Sequence, residues 1–205
     1  MRFLSTLLAL AALAAAGPAS AQPQTFEIDA VHSGVSFKIR HFFSKTPGRF
    51  DQMSGTIVYD EKNLAASSVQ VTIPAATIDT DNERRDNHLK SADFFDVEKH
   101  PHITFKSTRV VPGATKGKFT IEGDLTMRGV TKKVVLNAEM LGMGAVTVGG
   151  RDMGFRAGFD ATTTINRRDW GIVWNGTLDQ KGVVIGDAML GDEVEIELHV
   201  EAVRK

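Results

Sequence analysis

Glu193-Val194-Glu195-Ile196-Glu197-Leu198-His199-Val200-Glu201-Ala202, close to the C-terminus, alternates polar and apolar residues at every step. A strand points successive side chains to opposite faces, so this stretch has one wet face and one dry face. The same period of two recurs upstream, at Val35, Phe37 and Ile39, at Val69, Val71 and Ile73, and at Phe119, Ile121 and Leu125. Phe155, Ala157, Phe159 and Ala161 repeat it around Arg156, Gly158 and Asp160, and shorter cases occur at Ile57 and Tyr59 and at Ile103 and Phe105. Turn signals separate these runs: Pro47-Gly48, Asp60 to Asn63, Pro112-Gly113, Arg128-Gly129, Gly149-Gly150, Asn175-Gly176 and Gly191-Asp192. The pattern predicts roughly eight or nine half-buried antiparallel strands, as a sandwich or barrel requires. Small residues between phenylalanines, such as Ala157 and Gly158, let a strand bend, and bending favours closure into a barrel.

One region breaks the period. Asp79 to Lys99 is charged and holds no alternating run, so it reads as a helical excursion over about residues 80–99 between two strands. Thr80 or Asp81 is placed to cap a short helix, and Ser91 offers a second cap.

The N-terminus has the form of a secretory signal. Arg2 gives a positive start, Phe3 to Ala16 an apolar run too short to span a bilayer, and Ala19-Ser20-Ala21 the small residues of a cleavage site. Cleavage is expected after Ala21, leaving residues 22–205 as one domain exported to the periplasm. No other apolar stretch approaches spanning length, so the mature chain is not expected to span a membrane. Without Arg2, 23 basic residues stand against 25 acidic ones, a balance with no electrostatic footprint for nucleic acid. The absence of cysteine removes disulfides, thiol nucleophiles and thiolate metal sites.

Candidate chemistry is sparse. Asp29-Ala30-Val31-His32-Ser33 has the residue types of a catalytic triad, but on extended backbone Asp29 and Ser33 each lie on the face opposite His32. The simpler reading is a turn in which Asp29 and Ser33 bond the backbone. His88, Asp93, Asp96, His100 and His102 are the best metal-ligand types, yet they sit in a solvated stretch, and no metal or other cofactor is expected. Arg84-Arg85-Asp86-Asn87-His88-Leu89 is the densest polar cluster. It reads equally as a polar mouth for a lipid headgroup, with Arg85, Asp86 and His88 at that end, or as a device in which Arg85 and Asp86 pin the helix to a strand. Strand parity points Phe37, Phe105, Phe119, Phe155, Phe159 and Trp174 inward. Five of the mature chain's six methionines lie between Met127 and Met189, a flexible lining suited to variable apolar ligands or to an irregular core. No Gly-rich phosphate loop, Gly-x-Ser-x-Gly or His-Glu-x-x-His occurs, so no enzyme is expected.

Taken in order, these residues resemble the YceI-like family of polyisoprenoid-binding, lipocalin-like periplasmic proteins. The resemblance begins at Asp29, His32-Ser33, Val35, Phe37 and His41 and runs through Gly48-Arg49-Phe50, Gly55 and Asp60. Its most specific part is Ile78-Asp79-Thr80, Arg85-Asp86, His88-Leu89, Asp93-Phe94-Phe95-Asp96, Pro101, Ile103, Phe105 and Ser107. Gly123, Leu125, Arg128 to Lys132, Arg168-Asp169-Trp170-Gly171, Gly186-Asp187, Val194 and Ile196 complete it. His100 stands where a tyrosine is expected and Trp170 where phenylalanine is usual. The resemblance implies an eight-stranded antiparallel barrel with an internal pore, frequent homodimers, and long isoprenoid ligands such as quinones or polyprenyl phosphates. Fatty acids or amides are the alternative ligands. A quinone-linked redox partner and a stress-related accessory protein are the alternative functional classes.

Overall fold

The computed structural model describes residues 22–175 and 189–205. The predicted turn at Asn175-Gly176 and the Gly186-Asp187 pair fall wholly or partly outside the described residues, as does the proposed signal. Among the described residues no helix is long and apolar enough to cross a membrane.

The alternating runs become the staves of a closed antiparallel barrel. Three staves are each broken in two. β1 (Gln24–Ile28) continues as β2 (Gly34–His41), β3 (Ser44–Phe50) as β4 (Ser54–Tyr59), and β5 (Ser68–Pro74) as β6 (Ile78–Asp79). The other five are β7 (His102–Pro112), β8 (Lys118–Met127), β9 (Val130–Val148), β10 (Arg151–Asn166) and β11 (Leu190–Arg204). Every stave pairs with its neighbours in sequence, and β11 closes the ring on both halves of the first stave, with Glu27 opposite Val203 and Phe37 opposite Ile196. Closure leaves the eight-stave ring without a free edge, which matters in a chain with no disulfide.

The break at residues 29–33 keeps one backbone bond to β11, from the Asp29 N–H to the Glu201 carbonyl at 2.8 Å, and is otherwise held by side chains. Asp29 Oδ1 accepts the Val31 N–H at 3.1 Å, and the Ser33 hydroxyl both donates to the Glu201 carbonyl and accepts the Glu201 N–H, each at 3.0 Å. One hydroxyl thus replaces the backbone pair that the turn removes from the first stave.

Inward residues form two apolar layers. One, towards the β2–β3 hairpin, includes Val35, Phe50, Ile73, Ile103, Ile165 and Trp170; the other, towards the chain termini, includes Phe26, Tyr59, Phe119, Ala157, Phe159 and Ala202. Phe26 and Ala202 are fully buried and Ala157 nearly so, which seals the terminal end. Two glycines shape the wall. A Cβ on Gly48 would lie 2.3 Å from Phe37 Cζ, and one on Gly123 would lie 2.3 Å from Phe105 Cζ, so each glycine gives a phenylalanine ring room to lie across the sheet.

The excursion between β6 and β7 holds one short helix, α1 (Glu83–Lys90). Its cap is Asn82, whose side chain accepts the Arg85 N–H at 3.0 Å, and not Thr80 or Asp81. Asp81 takes a left-handed φ of 58°, and the Thr80 hydroxyl is already bonded to Asp86 and Arg85. The rest of the predicted helical stretch is a chain of turns, with the N–H groups of Phe94 and Asp96 both directed at the Ser91 carbonyl.

Candidate functional site

The two apolar layers do not fill the barrel. Between them lies a cavity of about 970 Å³, walled by inward residues of every stave and reaching α1. That size is at the upper end of ordinary ligand pockets, roughly 300–1,000 Å³. Tyr59, Phe119 and Phe159 form its floor, with Tyr59 set edge-on to Phe159 at 5.7 Å between ring centroids. Burial pushes the Tyr59 hydroxyl upward, so it stays a neutral phenol at ordinary pH. At the opposite end the rings of Phe37 and Phe50 lie 5.8 Å apart, and Trp174 lies 5.2 Å from Phe94 and 4.8 Å from His88.

Of the six aromatic residues that parity points inward, Phe37, Phe105, Phe119, Phe159 and Trp174 line this cavity. Phe155 does not. It is on the same face of β10 as Phe159 but at the terminal end, packed 6.3 Å from Phe26 with the Arg204 guanidinium 4.3 Å above its ring. The chain bulges just before it, where Gly154 takes a φ of 81° and the pairing to β9 slips between Asp152 and Phe155. Of the later methionines, Met127 and Met189 reach the cavity wall, while Met140 and Met143 pack on the terminal layer.

The polar end is built on α1. Arg84, Arg85, His88 and Leu89 touch the cavity, the spacing of a single helix face. Asn82 and Arg84 are both exposed and part of the wall, so the cavity meets solvent beside α1. Arg85 donates through Nε to the Thr80 hydroxyl at 2.7 Å and through Nη2 to the Thr80 carbonyl. Asp86 is buried and turned away, its Oδ1 accepting the Thr80 N–H at 3.0 Å and the Thr80 hydroxyl. Arg85 and Asp86 therefore lock the helix onto the end of the third stave, and Arg85 also faces the cavity. His88 Nε2 lies 2.9 Å from Asp93 Oδ2, which fixes the ring between Phe94 and Trp174. Arg84, the first residue of the polar cluster, lies four residues before His88, a spacing that puts the two on one helix face.

Arg167 is a second residue that the pattern did not single out. Its side chain is almost wholly buried and donates to the carbonyls of Gly191, Ile172 and Trp174 at 2.8–2.9 Å. Burial pulls its pKa down, the nearby Asp192 pulling it back up. Arg167 thereby fixes the segment that carries Trp174 against the start of β11. Sequence alone offered no signal for it, since an arginine at a strand end is normally solvated.

The remaining candidates do not converge on the cavity. Asp29 and His32 meet in the turn, Oδ2 to Nδ1 at 2.9 Å, against the expectation from extended backbone; the Ser33 hydroxyl is spent on Glu201 and completes no triad. Among the described residues, Asp29, His32 and Glu201 are the one set of three potential metal ligands that come together. Arg156 fills that position, donating to Asp29 Oδ2 at 2.8 Å and to Glu201. The hydrogen bonds from His32, then Arg156, hold the Asp29 carboxyl down at about 2. The five metal-type residues of the helical excursion do not assemble. His88 is bonded to Asp93, Asp96 to Lys99, and His100 lies over the Gly129 turn.

The YceI-like domain model matches residues 26–202. A UPF0312 protein of Pectobacterium atrosepticum is 39% identical over 203 residues, covering 98% of this chain and 97% of its own. One of Vibrio cholerae is 38% identical over 188 residues, covering 91% and 90%. Among solved structures, Burkholderia cenocepacia BcnA superimposes with a TM-score of 0.71 at 26% identity, over 86% of this chain and 99% of its own. A polyisoprenoid binding domain from Saccharophagus degradans, implicated in plant cell wall breakdown, shares the fold at 13% identity with a TM-score of 0.60, over 89% and 99%.

Proposed function

This chain belongs to the YceI-like family, and from that premise we propose that its barrel binds, shields and carries the long apolar chain of an isoprenoid lipid, without catalysis, in the periplasm. The observation that carries the proposal is the apolar cavity of about 970 Å³, walled by every stave and meeting solvent beside α1. The polyisoprenoid-binding neighbour supports it by fold. The physics is consistent with a carrier. Burying about twenty methylenes at roughly 0.8 kcal/mol each gives about 16 kcal/mol. That approaches the ceiling for non-covalent affinity, and ordering the chain offsets much of it, which leaves binding reversible.

Export rests on the leader sequence, with cleavage after Ala21 and Gln22 as the new N-terminus. Mass spectrometry of organic extracts from natively purified mature protein tests the carrier function, against a mock purification. A stoichiometric long-chain isoprenoid supports it and identifies the headgroup. Extracts that stay empty, from the native organism as well as from a heterologous host, refute it.

A further inference from the structure

We propose that the rim of the cavity is a membrane-docking surface: the tip of the β2–β3 hairpin, Phe42-Phe43, enters the interfacial layer of a lipid bilayer and sets the opening of the barrel against it. The choice of a bilayer as the occupant rests on the carrier reading above, because a lipid carried in the cavity has to leave a membrane and re-enter one.

His41 pairs with Ser44, so Phe42 and Phe43 are the two residues of the turn. A turn of this kind favours glycine where φ is positive, yet Phe42 holds a φ of 48° there. Phe43 is 79% exposed and is the one aromatic among the exposed large apolar side chains of the described residues. A ring so far out in water buries almost nothing for the fold, and glycine or asparagine would make the same turn with less strain. The tip is joined to the cavity. The Phe42 N–H donates to the Met189 carbonyl at 2.9 Å, His41 pairs with Leu190, and the Asn175 side chain bonds both the N–H and the carbonyl of Leu190. These bonds tie residues 173–175 to the same rim, where Val173 is 57% exposed. His41, Met189, Leu190 and Trp174 all line the cavity, and Trp174 lies 4.8 Å from His88 of α1. Exposed apolar side chains therefore stand on the rim at the end where the cavity meets solvent. The outer face beneath the tip carries its charges as ion pairs, Lys45 with Glu195, Lys38 with Glu197 at 3.1 Å and Arg168 with Asp192 at 2.7 Å, while Arg40 donates to the Phe42 carbonyl. A partner recognised by charge finds little to hold there, whereas the apolar boundary of a bilayer accepts Phe43 and Val173.

The test is co-sedimentation of the mature protein with phosphatidylcholine vesicles at about 0.1 M and about 1 M salt, between which the screening length falls from about 10 Å to about 3 Å. The parent is expected to partition onto the vesicles equally at both. Phe43→Ser should lower the partition coefficient at least about tenfold, the margin for keeping one phenylalanine ring out of an apolar phase. Phe43→Trp should preserve it. Both variants change an exposed side chain, so the melting temperature should hold. Organic extracts of the same three proteins, loaded from detergent solution, should contain equal lipid, because Phe43 is not part of the cavity wall. A parent that stays in the supernatant, or a Phe43→Ser protein that sediments as the parent does, overturns the inference and leaves the carrier reading standing. Binding that disappears at high salt overturns apolar insertion. Extracts empty in all three proteins, with vesicle binding intact, overturn the carrier reading and leave the docking surface.

Discussion

Replacing Gly48 with alanine should displace the Phe37 ring from the cavity wall, and the loss should be partly repaired by shortening Phe37. The two residues face each other across β2 and β3. An alanine methyl at position 48 would lie 2.3 Å from Phe37 Cζ, 2.8 Å from Phe37 Cε2 and 2.8 Å from Thr80 Cγ2. All three are side-chain atoms, so the sheet itself need not open, but the ring must swing away from its contact with Phe50 at 5.8 Å. Overpacking of this kind costs roughly 1–3 kcal/mol. The lower entropy of alanine in the unfolded chain returns about 0.4–1 kcal/mol, which leaves a net loss of about 1–2 kcal/mol. Phe37→Leu removes the two ring atoms that collide. The double variant should therefore be less destabilised than the sum of the singles, by about 1 kcal/mol. Recovery should stay incomplete, because Thr80 is fixed by its bonds to Asp86 and its methyl still obstructs. Gly55→Ala is the contrast: its methyl would meet the backbone oxygen of Gln70 at 2.1 Å, and no neighbouring side-chain change can relieve that. The assay is urea unfolding of the two glycine variants, Phe37→Leu and the Gly48→Ala/Phe37→Leu double variant, with the slope checked for constancy. Strict additivity of Gly48→Ala and Phe37→Leu, or a Gly48→Ala protein as stable as the parent, would refute the reasoning.

Asp29→Asn should cost about 1–2 kcal/mol at pH 7, because the Asp29 carboxyl is held at about 2 rather than 3.8 by His32 and Arg156. A depressed carboxyl stabilises above its unfolded pKa, so the difference from the parent should persist down to about pH 4 and vanish as the pH falls through 2, as urea unfolding at each pH would show. Arg167→Met leaves the carbonyls of Gly191, Ile172 and Trp174 without their donor. A loss of about 3 kcal/mol is expected, seen as a fall in melting temperature of roughly 6–12 °C for a domain of this size. Ala161→Phe projects a ring into the cavity, so the lipid recovered per protein in organic extracts should drop at least about tenfold while the melting temperature holds, as cavity filling does not unfold a barrel.

The alternation of single strands read out the inside and the outside of this barrel well. Val35, Val71, Ile73, Phe119 and Phe159 are buried where period two places them, since one dry face per stave is all that closure requires. Height along the barrel axis was not legible, because it depends on the register of all eight staves together. Phe155 and Phe159 share a face, yet Phe159 is in the cavity wall and Phe155 packs on Phe26 at the terminal end. Side-chain locks were equally hidden. Asp29 and His32 join because the strand breaks at a turn, and Asp86 turns inward because Thr80 offers it two donors.

Even the existence of the cavity belongs to rows across strands rather than to any one strand. Following the register from β8 to β3, Phe119 faces Ala138, Ala138 faces Ala161, Ala161 faces Leu198, Leu198 faces Val35 and Val35 faces Phe50. Two adjacent alanines in a row otherwise made of large apolar residues leave space that no neighbour fills. Two rows nearer the terminal end, Ala157 faces Ala202, but there Phe26 packs into the gap and seals it. The same small residue thus opens a cavity or admits a plug according to what stands across the barrel. That is why Ala161, whose methyl is unremarkable in the sequence, is the position where one added ring should cost the protein its ligand and not its fold.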